Sequence, residues 1–301
     1  MKLLITGAWR HGQDELDALA ALGHTLCLMP DERGALPLDP AEVEGVICNG
    51  LFLYHPIEQF TALRYIQLTS AGLDRVPMDF VSANGIQIYN ARGVYSVPMA
   101  EYALCGVLSL YKRMPQFAKS QACKAWEKQR GVLELFGKTV AIVGSGNVGT
   151  ECAKRFAAMG CRVLGVDLYP REDACYEQIL PLDRLHGVLA EADVAVLTLP
   201  YTKETHHLIS TTALSQMKQG AVLVNIARGG VIDTEALVAA LAEGRLGGAV
   251  LDVFEQEPLP QDSPLWELDN VIVTPHNSFV GDGNAKRLFR VIFENLSKFQ
   301  N

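Results

Sequence analysis

Short runs of apolar residues alternate with segments of helical periodicity along most of the chain. In the run Val194–Leu199 only Thr198 is polar, a pattern typical of a parallel strand that helices cover on both faces. Runs of this kind predict strands at Lys2–Gly7, Thr25–Met29, Gly45–Cys48, Tyr65–Thr69, Thr139–Gly144, Arg162–Asp167, Asp193–Leu199, Ala221–Ile226, Ala249–Val253 and Asn270–Thr274. This alternation predicts an α/β fold with doubly wound parallel sheets.

The predicted strands fall into two series, which a helical segment separates. The first series occupies roughly residues 1–90, and the second begins at Thr139. Between them lie a predicted helix at Val97–Arg113 and a more polar stretch at Met114–Gly131, and an amphipathic helix is predicted at Ala285–Phe299. We therefore expect two α/β domains, each with its own parallel sheet and core.

Composition narrows the classes of protein that fit this pattern. The chain has 301 residues, of which 49% are hydrophobic and 20% charged, an ordinary globular balance. Its net charge is −8 with no cluster of basic residues, which argues against a nucleic-acid partner. No apolar stretch has the roughly 18–20 residues of a membrane helix, and the run after Met1 is too short for a secretory signal. We therefore expect a cytoplasmic protein that acts on a small molecule.

The cysteine and histidine patterns give no metal site. Seven cysteines are scattered without C-x-x-C spacing, mostly in apolar runs, so we expect buried free thiols in a reducing compartment. His206 and His207 are adjacent and share neither a helix face nor a strand face, which argues against a paired metal site. Helix ends or the surface are the expected places of His11, His24, His55 and His186.

The strongest local motif is the G-x-G-x-x-G sequence that follows the apolar strand beginning at Thr139. In such a turn Gly144 makes the bend, Gly146 lets the backbone approach a pyrophosphate, and Gly149 lets the helix pack on the strand. The helix start also offers free N–H groups and a positive dipole to phosphates. The predicted dinucleotide contacts here are Gly144, Ser145, Gly146, Asn147, Val148 and Gly149.

An acidic residue at the end of the next strand indicates which dinucleotide binds. Asp167 follows the strand at close to the expected offset of about 20 residues. A carboxylate there accepts bonds from the ribose hydroxyls and repels a 2′-phosphate, which favours NAD over NADP. Arg171 lies nearby and would weaken this preference if it faced the ribose, so an NADP-dependent enzyme remains an alternative.

Three polar residues follow strands of the second series near their carboxyl ends, where ligands bind in open α/β sheets. Arg228 precedes two glycines and offers a planar fork that matches a carboxylate. His276 suits acid/base chemistry at neutral pH, and Glu257 is the candidate carboxylate that orients it.

Over nearly its full length the chain resembles the D-isomer-specific 2-hydroxyacid dehydrogenase family. The order and spacing of several segments carry this resemblance: Ser70–Asp74, Asn90–Gly93, Ala100-Glu101, Gly144–Gly149, Leu199-Pro200 with Glu204-Thr205, Asn225–Gly230, Leu251–Pro258 and Thr274–His276. It implies a catalytic trio at Arg228, Glu257 and His276, and substrate-carboxylate binding at Ala71 and Gly72 with Arg228 and His276. Further cofactor contacts are expected at Leu199, Pro200, Thr205, Ala227, Arg228, Asp252 and His276.

The resemblance also implies a domain arrangement and an assembly. A Rossmann NAD-binding domain at residues 96–277 is inserted into a flavodoxin-like substrate domain formed by residues 1–95 and 278–301. The expected assembly is a homodimer through the cofactor domain, using Met114–Gly131. No further C-terminal regulatory domain is expected. Arg92, Met99 and Asn277 depart from the residues most common in the family, which leaves the choice of 2-hydroxy acid open.

The function implied is NAD-dependent hydride transfer between a small D-2-hydroxy acid and its 2-oxo acid. Some proteins that resemble this family instead act as NAD(H)-sensing corepressors, so a binding protein without significant turnover is the alternative. The sequence shows no appended tail or low-complexity arm for docking a partner.

Overall fold

The computed structural model describes residues 1–299. Its strands are β1 (Lys2–Thr6), β2 (Thr25–Met29), β3 (Gly45–Cys48), β4 (Tyr65–Leu68), β5 (Gln87–Tyr89), β6 (Thr139–Val143), β7 (Arg162–Asp167), β8 (Gln178–Pro181), β9 (Val194–Leu197), β10 (Ala221–Asn225), β11 (Leu246–Leu251) and β12 (Val271–Val273). Its α-helices are α1 (Gln13–Ala21), α2 (Met78–Ala83), α3 (Ser96–Tyr111), α4 (Met114–Ala122), α5 (Asn147–Ala158), α6 (Leu185–Glu191), α7 (Thr211–Gln216), α8 (Thr234–Ala242) and α9 (Asn284–Lys298).

The chain divides into two compact units, each built on one parallel sheet. The first unit comprises Met1–Tyr95 and the segment from Gly281 onward, with strand order β2-β1-β3-β4-β5. The second unit comprises Ser96–Val280, with strand order β12-β11-β10-β9-β6-β7-β8. These are the flavodoxin-like and Rossmann-like doubly wound orders, so the predicted fold class is confirmed.

Apolar side chains on both faces of each sheet explain why the strands were recognisable. In β6, Val140 and Ile142 pack toward α3 and α5, while Ala141 and Val143 pack toward α6, α7 and α8. Both faces are buried because helices cover both, as parallel sheets require. In the first unit, α9 buries Leu288, Ile292 and Leu296 in the same core as Leu3 and Ile5 of β1.

Two strands escaped prediction, and both lie at a sheet edge. β5 and β8 are short and pair with one neighbour only. Their burial is partial, with exposed residues at Gln87 and Gln178, so neither has a continuous apolar run. The stretch predicted as polar at Met114–Gly131 contains a helix, α4, over its first half.

The cysteines are free, but the expectation that they are buried is only partly right. Cys48 and Cys152 are buried, whereas Cys105 and Cys123 are exposed. Cys105 faces outward because α3 buries a different face of the helix, through Ala103, Gly106 and Val107. Within residues 1–299, no helix combines the length and the apolar character that crossing a bilayer demands.

Candidate active site

Three neighbouring strands of the second unit lead into the polar residues singled out from the sequence. Arg228 follows β10, Glu257 follows β11, and His276 follows β12. These strands are parallel and adjacent in the sheet, so their carboxyl ends share one edge. The topology therefore places all three residues at the edge where ligands bind in open α/β sheets.

The loop that carries Arg228 is shaped by a buried asparagine. The side chain of Asn225 donates to the Arg228 carbonyl at 3.0 Å and accepts from the Ala227 N–H at 3.0 Å. The next residue, Gly229, has no room for a side chain, because a Cβ there would lie 1.8 Å from the carbonyl carbon of Phe254. The Arg228 guanidinium is exposed and donates to the Ala227 carbonyl at 2.7 Å. Among the described residues no carboxylate pairs with it, so it is available to an anion.

His276 and Glu257 form the pair that the sequence predicted. His276 Nδ1 lies 2.9 Å from Glu257 Oε2, and both side chains are about 40% exposed. The other carboxylate oxygen of Glu257 accepts the Phe254 N–H at 3.0 Å, which fixes its orientation. Nε2 of the imidazole has no hydrogen-bond partner within residues 1–299. This leaves one ring nitrogen held and the other able to exchange a proton.

Asp252 anchors the loop that carries His276, a role that the sequence did not indicate. Its carboxylate is fully buried and accepts from the Thr274 hydroxyl at 2.6 Å and from the N–H groups of Asn277 and Ser278 at 2.7 and 2.9 Å. Tyr102 extends this network, with its hydroxyl 2.5 Å from Thr274 Oγ1. Burial raises the pKa of Tyr102, so its hydroxyl stays protonated. The predicted bond from Asp252 to the nicotinamide remains a prediction.

The glycine-rich turn has the shape that a pyrophosphate needs. Gly144 has φ +98°, and a Cβ there would lie 2.6 Å from the Leu199 nitrogen. A Cβ on Gly149 would lie 2.0 Å from the Gly144 carbonyl oxygen, because α5 starts directly against the strand. A Cβ on Gly146, by contrast, would meet nothing within 4 Å. No side chain caps α5 at Gly146, so the helix start is free to receive a phosphate.

Asp167 and Arg171 both contact Ser145, the second residue of this turn. Asp167 accepts from the Ser145 N–H at 2.6 Å and the Ser145 hydroxyl at 2.9 Å, and from the Tyr169 N–H at 3.0 Å. Burial works to raise the pKa of Asp167, but these bonds and the nearby Arg171 lower it below its ordinary value. The carboxylate therefore stays charged at the end of β7.

Arg171 turns toward the glycine-rich turn rather than pairing with Asp167. It donates to the Ser145 carbonyl at 2.6 Å and lies 3.1 Å from both the Ser145 and Thr150 hydroxyls. The sequence placed Arg171 near Asp167 but did not predict that its guanidinium bonds to the turn.

Leu199, Pro200 and Thr205 form the loop after β9. Leu199 is nearly buried against Gly144. The Thr205 hydroxyl donates to the Pro200 carbonyl at 2.9 Å and accepts from the Thr202 N–H at 2.7 Å. Thr205 thus closes the loop on itself and sets the course of the backbone beside the glycine-rich turn.

In the first unit, Ala71 and Gly72 lie in the loop that follows β4. The Ala71 carbonyl accepts from the Asn90 side chain at 2.7 Å, and the Gly72 carbonyl accepts from the Ser70 hydroxyl at 3.1 Å. Their N–H groups have no hydrogen-bond partner in the described part of the chain. The carbonyls are engaged and the donors remain free, which is the arrangement that binding a carboxylate requires.

Comparisons with known proteins identify the family of the chain. The family model described as D-isomer specific 2-hydroxyacid dehydrogenase, NAD binding domain, matches residues 104–278. A glyoxylate reductase from Thermofilum pendens is 38% identical over 242 residues, which are 78% of this chain and 71% of that protein. A D-3-phosphoglycerate dehydrogenase from Methanocaldococcus jannaschii is 35% identical over 244 residues, or 80% of this chain and 46% of that protein. The match thus spans less than half of that relative's length.

A solved structure shows the same architecture. The D-lactate dehydrogenase from Aquifex aeolicus, crystallised with NAD and lactic acid, is 28% identical with a TM-score of 0.77. The match covers 98% of this chain and 94% of that chain. Sequence, sheet order and solved relatives converge, and the chain belongs to the D-isomer-specific 2-hydroxyacid dehydrogenase family.

Proposed function

We propose that the protein reduces a small 2-oxo acid to its D-2-hydroxy acid, and catalyses the reverse reaction, with NAD(H) as cofactor. The observation that carries this proposal is the His276–Glu257 pair at the sheet edge where Arg228 presents an unpaired guanidinium. Bound NADH would supply the hydride. The relatives support an enzyme rather than the NAD(H)-sensing alternative, since their names are those of dehydrogenases and reductases.

Each proposed catalytic group has a task that its surroundings permit. Arg228 binds the substrate carboxylate, because its fork matches two oxygens and no acidic side chain within residues 1–299 competes for it. His276, held at Nδ1 by Glu257, gives a proton from Nε2 to the oxygen of the former carbonyl. In the oxidative direction the same nitrogen takes the hydroxyl proton. The free N–H groups of Ala71 and Gly72 are proposed as further donors to the carboxylate.

The proposal for the cofactor residues is based on the space that the glycine-rich turn leaves for a pyrophosphate. The open space at Gly146 and the uncapped start of α5 receive the pyrophosphate, with Ser145, Asn147 and Val148 supplying the surrounding backbone. Asp167 accepts from the ribose hydroxyls. Leu199, Pro200, Thr205, Ala227 and Asp252 are proposed to shape the rest of the dinucleotide site. In this proposal residues 96–277 form the cofactor domain, and residues 1–95 with 278–301 form the substrate domain.

The test is a turnover assay with a panel of 2-oxo acids. The consumption of NADH is monitored, and NADPH is assayed in parallel. The panel holds glyoxylate, pyruvate, hydroxypyruvate and larger branched and aromatic oxo acids, with 3-phosphoglycerate assayed for oxidation. One substrate should give a kcat on the order of 1–10³ s⁻¹ with NADH preferred. His276→Ala should lower kcat by about 10²–10⁴-fold, the usual share of a general acid, while the Kd for NADH stays unchanged.

Arg228→Ala and Arg228→Lys are the companion variants in the same assay. The alanine variant should raise KM and lower kcat together, and lysine should restore only part of the loss, because an ammonium cannot pair with both carboxylate oxygens. Tight NADH binding with no turnover on any acid would reject the enzyme and favour the sensor.

We further propose a homodimer through the cofactor domain and a cytoplasmic location. Trp126 is 98% exposed in the segment proposed for dimerisation, and Phe136 nearby is 76% exposed. Large apolar groups so exposed are typical of a surface that a partner covers. The free thiols of the exposed Cys105 and Cys123 fit a reducing compartment.

A further inference from the structure

A second histidine–glutamate pair connects loops of the second unit that neighbour the proposed catalytic groups. His207 Nε2 is 2.6 Å from Glu255 Oε1, and each side chain is about one third exposed. His207 follows the loop after β9, and Glu255 stands two residues before Glu257. No group of side chains within residues 1–299 is suited to hold a metal ion, so the pair needs a different explanation.

Glu255 is the fixed member of this pair. Its second oxygen accepts the N–H of Thr234, the first residue of α8, at 3.1 Å. Burial works to raise the pKa of Glu255, but the bonds from Thr234 and His207 lower it below its ordinary value. A charged carboxylate at a helix start is also favoured by the helix dipole. Glu255 therefore ties the loop after β11 to the start of α8.

His207 reaches from Glu255 to the loop that carries Arg228. The backbone N–H of His207 donates to the Gly230 carbonyl at 2.9 Å, and two residues later the backbone N–H of Ile209 donates to the Val231 carbonyl at 3.0 Å. The backbone of His207 has φ +48°, a conformation that non-glycine residues rarely adopt. Such a conformation persists where surrounding contacts enforce it.

The two loops that the pair connects also touch each other directly. Gly229 lies so close to Phe254 and Glu255 that a Cβ on it would be 1.8 Å from the Phe254 carbonyl carbon. Phe254 in turn donates its N–H to Glu257. A displacement of the Glu255 segment would therefore move both the Arg228 backbone and the carboxylate that orients His276.

We propose that His207 and Glu255 are a positioning pair, which holds the Arg228 loop and the Glu257 loop in register for the reaction. This inference rests on the proposed function and assigns no contact with substrate to either residue. The pair acts through its hydrogen bond, so losing that bond should lower the activity more than exchanging the imidazole ring for another donor.

The test compares His207→Leu with His207→Gln in the turnover assay. Neither leucine nor glutamine is branched at Cβ, so both face the same positive φ at this position, but only glutamine retains an N–H group that can donate to Glu255. His207→Leu should lower kcat by about tenfold and raise KM for the oxo acid several-fold, since small misplacements of reacting groups are costly. The Kd for NADH should stay within about twofold, and His207→Gln should recover most of kcat.

His206→Leu is the matched control. The His206 ring stacks on the His207 ring with centroids 3.9 Å apart, and its Nδ1 lies 3.2 Å from the Tyr201 hydroxyl, but no carboxylate of the described residues bonds to it. Its loss should leave kcat and KM near those of the wild type.

Three results would overturn the positioning role while leaving the proposed function intact: unchanged kinetics in His207→Leu, equal losses in the Leu and Gln variants, or a parallel loss of NADH binding. A wild-type protein that turns over no oxo acid would instead contradict the proposed function and this inference together.

Discussion

At the scale of single residues, the three glycines of the turn are required for different reasons. Gly149 is pressed against the Gly144 carbonyl, and Gly144 is forced to φ +98° beside Leu199. Gly146 has φ −66° and open space where a side chain would be, so the protein's own atoms do not require glycine there. The proposed pyrophosphate contact would account for a glycine at this position.

This difference predicts opposite outcomes for Gly146→Ala and Gly149→Ala. The Gly146 variant should unfold at the wild-type temperature but bind NADH at least about tenfold more weakly, because its methyl group occupies the space of the pyrophosphate. The Gly149 variant should lose about 1–3 kcal/mol of stability from overpacking, which outweighs the roughly 1 kcal/mol that alanine gains in a helix.

Thermal unfolding and NADH titration of the two variants measure both effects. Wild-type NADH affinity in Gly146→Ala would show that the dinucleotide does not lie against this residue.

Residue types indicated the proposed catalytic groups but not the side chains that support them. Residue types and positions after strands made Glu257 only a candidate partner of His276, and the family resemblance implied their shared role; the structure has the two side chains 2.9 Å apart. Asp252, Tyr102 and Thr274 were not recognised as the support of that histidine. Their network depends on side chains up to 172 positions apart in the chain, and no local pattern reports such a contact.

At the scale of elements, the connection from α1 to β2 holds a histidine without hydrogen-bond partners. Both ring nitrogens of His24 are buried and unpaired among the described residues. Burial, followed by the charges of the Met1 amino group and Arg64, lowers the pKa of His24 from its ordinary value of 6.5, against a smaller opposing effect of Glu44. The expectation of an exposed or helix-end histidine did not anticipate this burial.

The lowered pKa predicts how the stability of the first unit depends on pH. Because the pKa of His24 is lower in the folded protein than in the unfolded chain, the unfolded chain binds a proton first, once the pH falls below about 6.5. The contribution of neutral His24 to the free energy of unfolding is thus complete above that pH. It is lost as the pH falls toward the lowered pKa of the folded state.

His24→Leu should therefore flatten the decline of Tm between about pH 7.5 and pH 5.5, because leucine binds no proton. His186→Leu is the control, since His186 is exposed on α6. If the His24 and His186 variants showed the same pH dependence as the wild type, the buried ring would not be the group that titrates.

At the scale of the whole molecule, large apolar side chains exposed in the otherwise polar segment Met114–Gly131, Trp126 above all, predict self-association. Light scattering should give about twice the 32.9 kDa of the chain. Trp126→Ser should weaken the dimer by tenfold or more, because buried tryptophans dominate the energy of interfaces. Trp266→Ser is the control, because Trp266 is 50% exposed outside the segment. A wild-type monomer, or equal effects of the two variants, would contradict this interface.

The pattern of residue types was sufficient to predict the fold class and the central strands of both sheets, and it indicated which chemical groups to expect at the candidate site. Buried parallel strands need apolar residues on both faces, a glycine-rich turn needs glycine at fixed spacing, and proton transfer and carboxylate binding need histidine and arginine. All of these requirements are local and leave their mark in the residue types. Edge strands β5 and β8, the anchoring role of Asp252, the turn of Arg171 toward Ser145 and the His207–Glu255 pair were decided by the tertiary structure alone. Each depends on which distant segments meet when the sheets form, and the energy of such contacts is not encoded in any one stretch of chain.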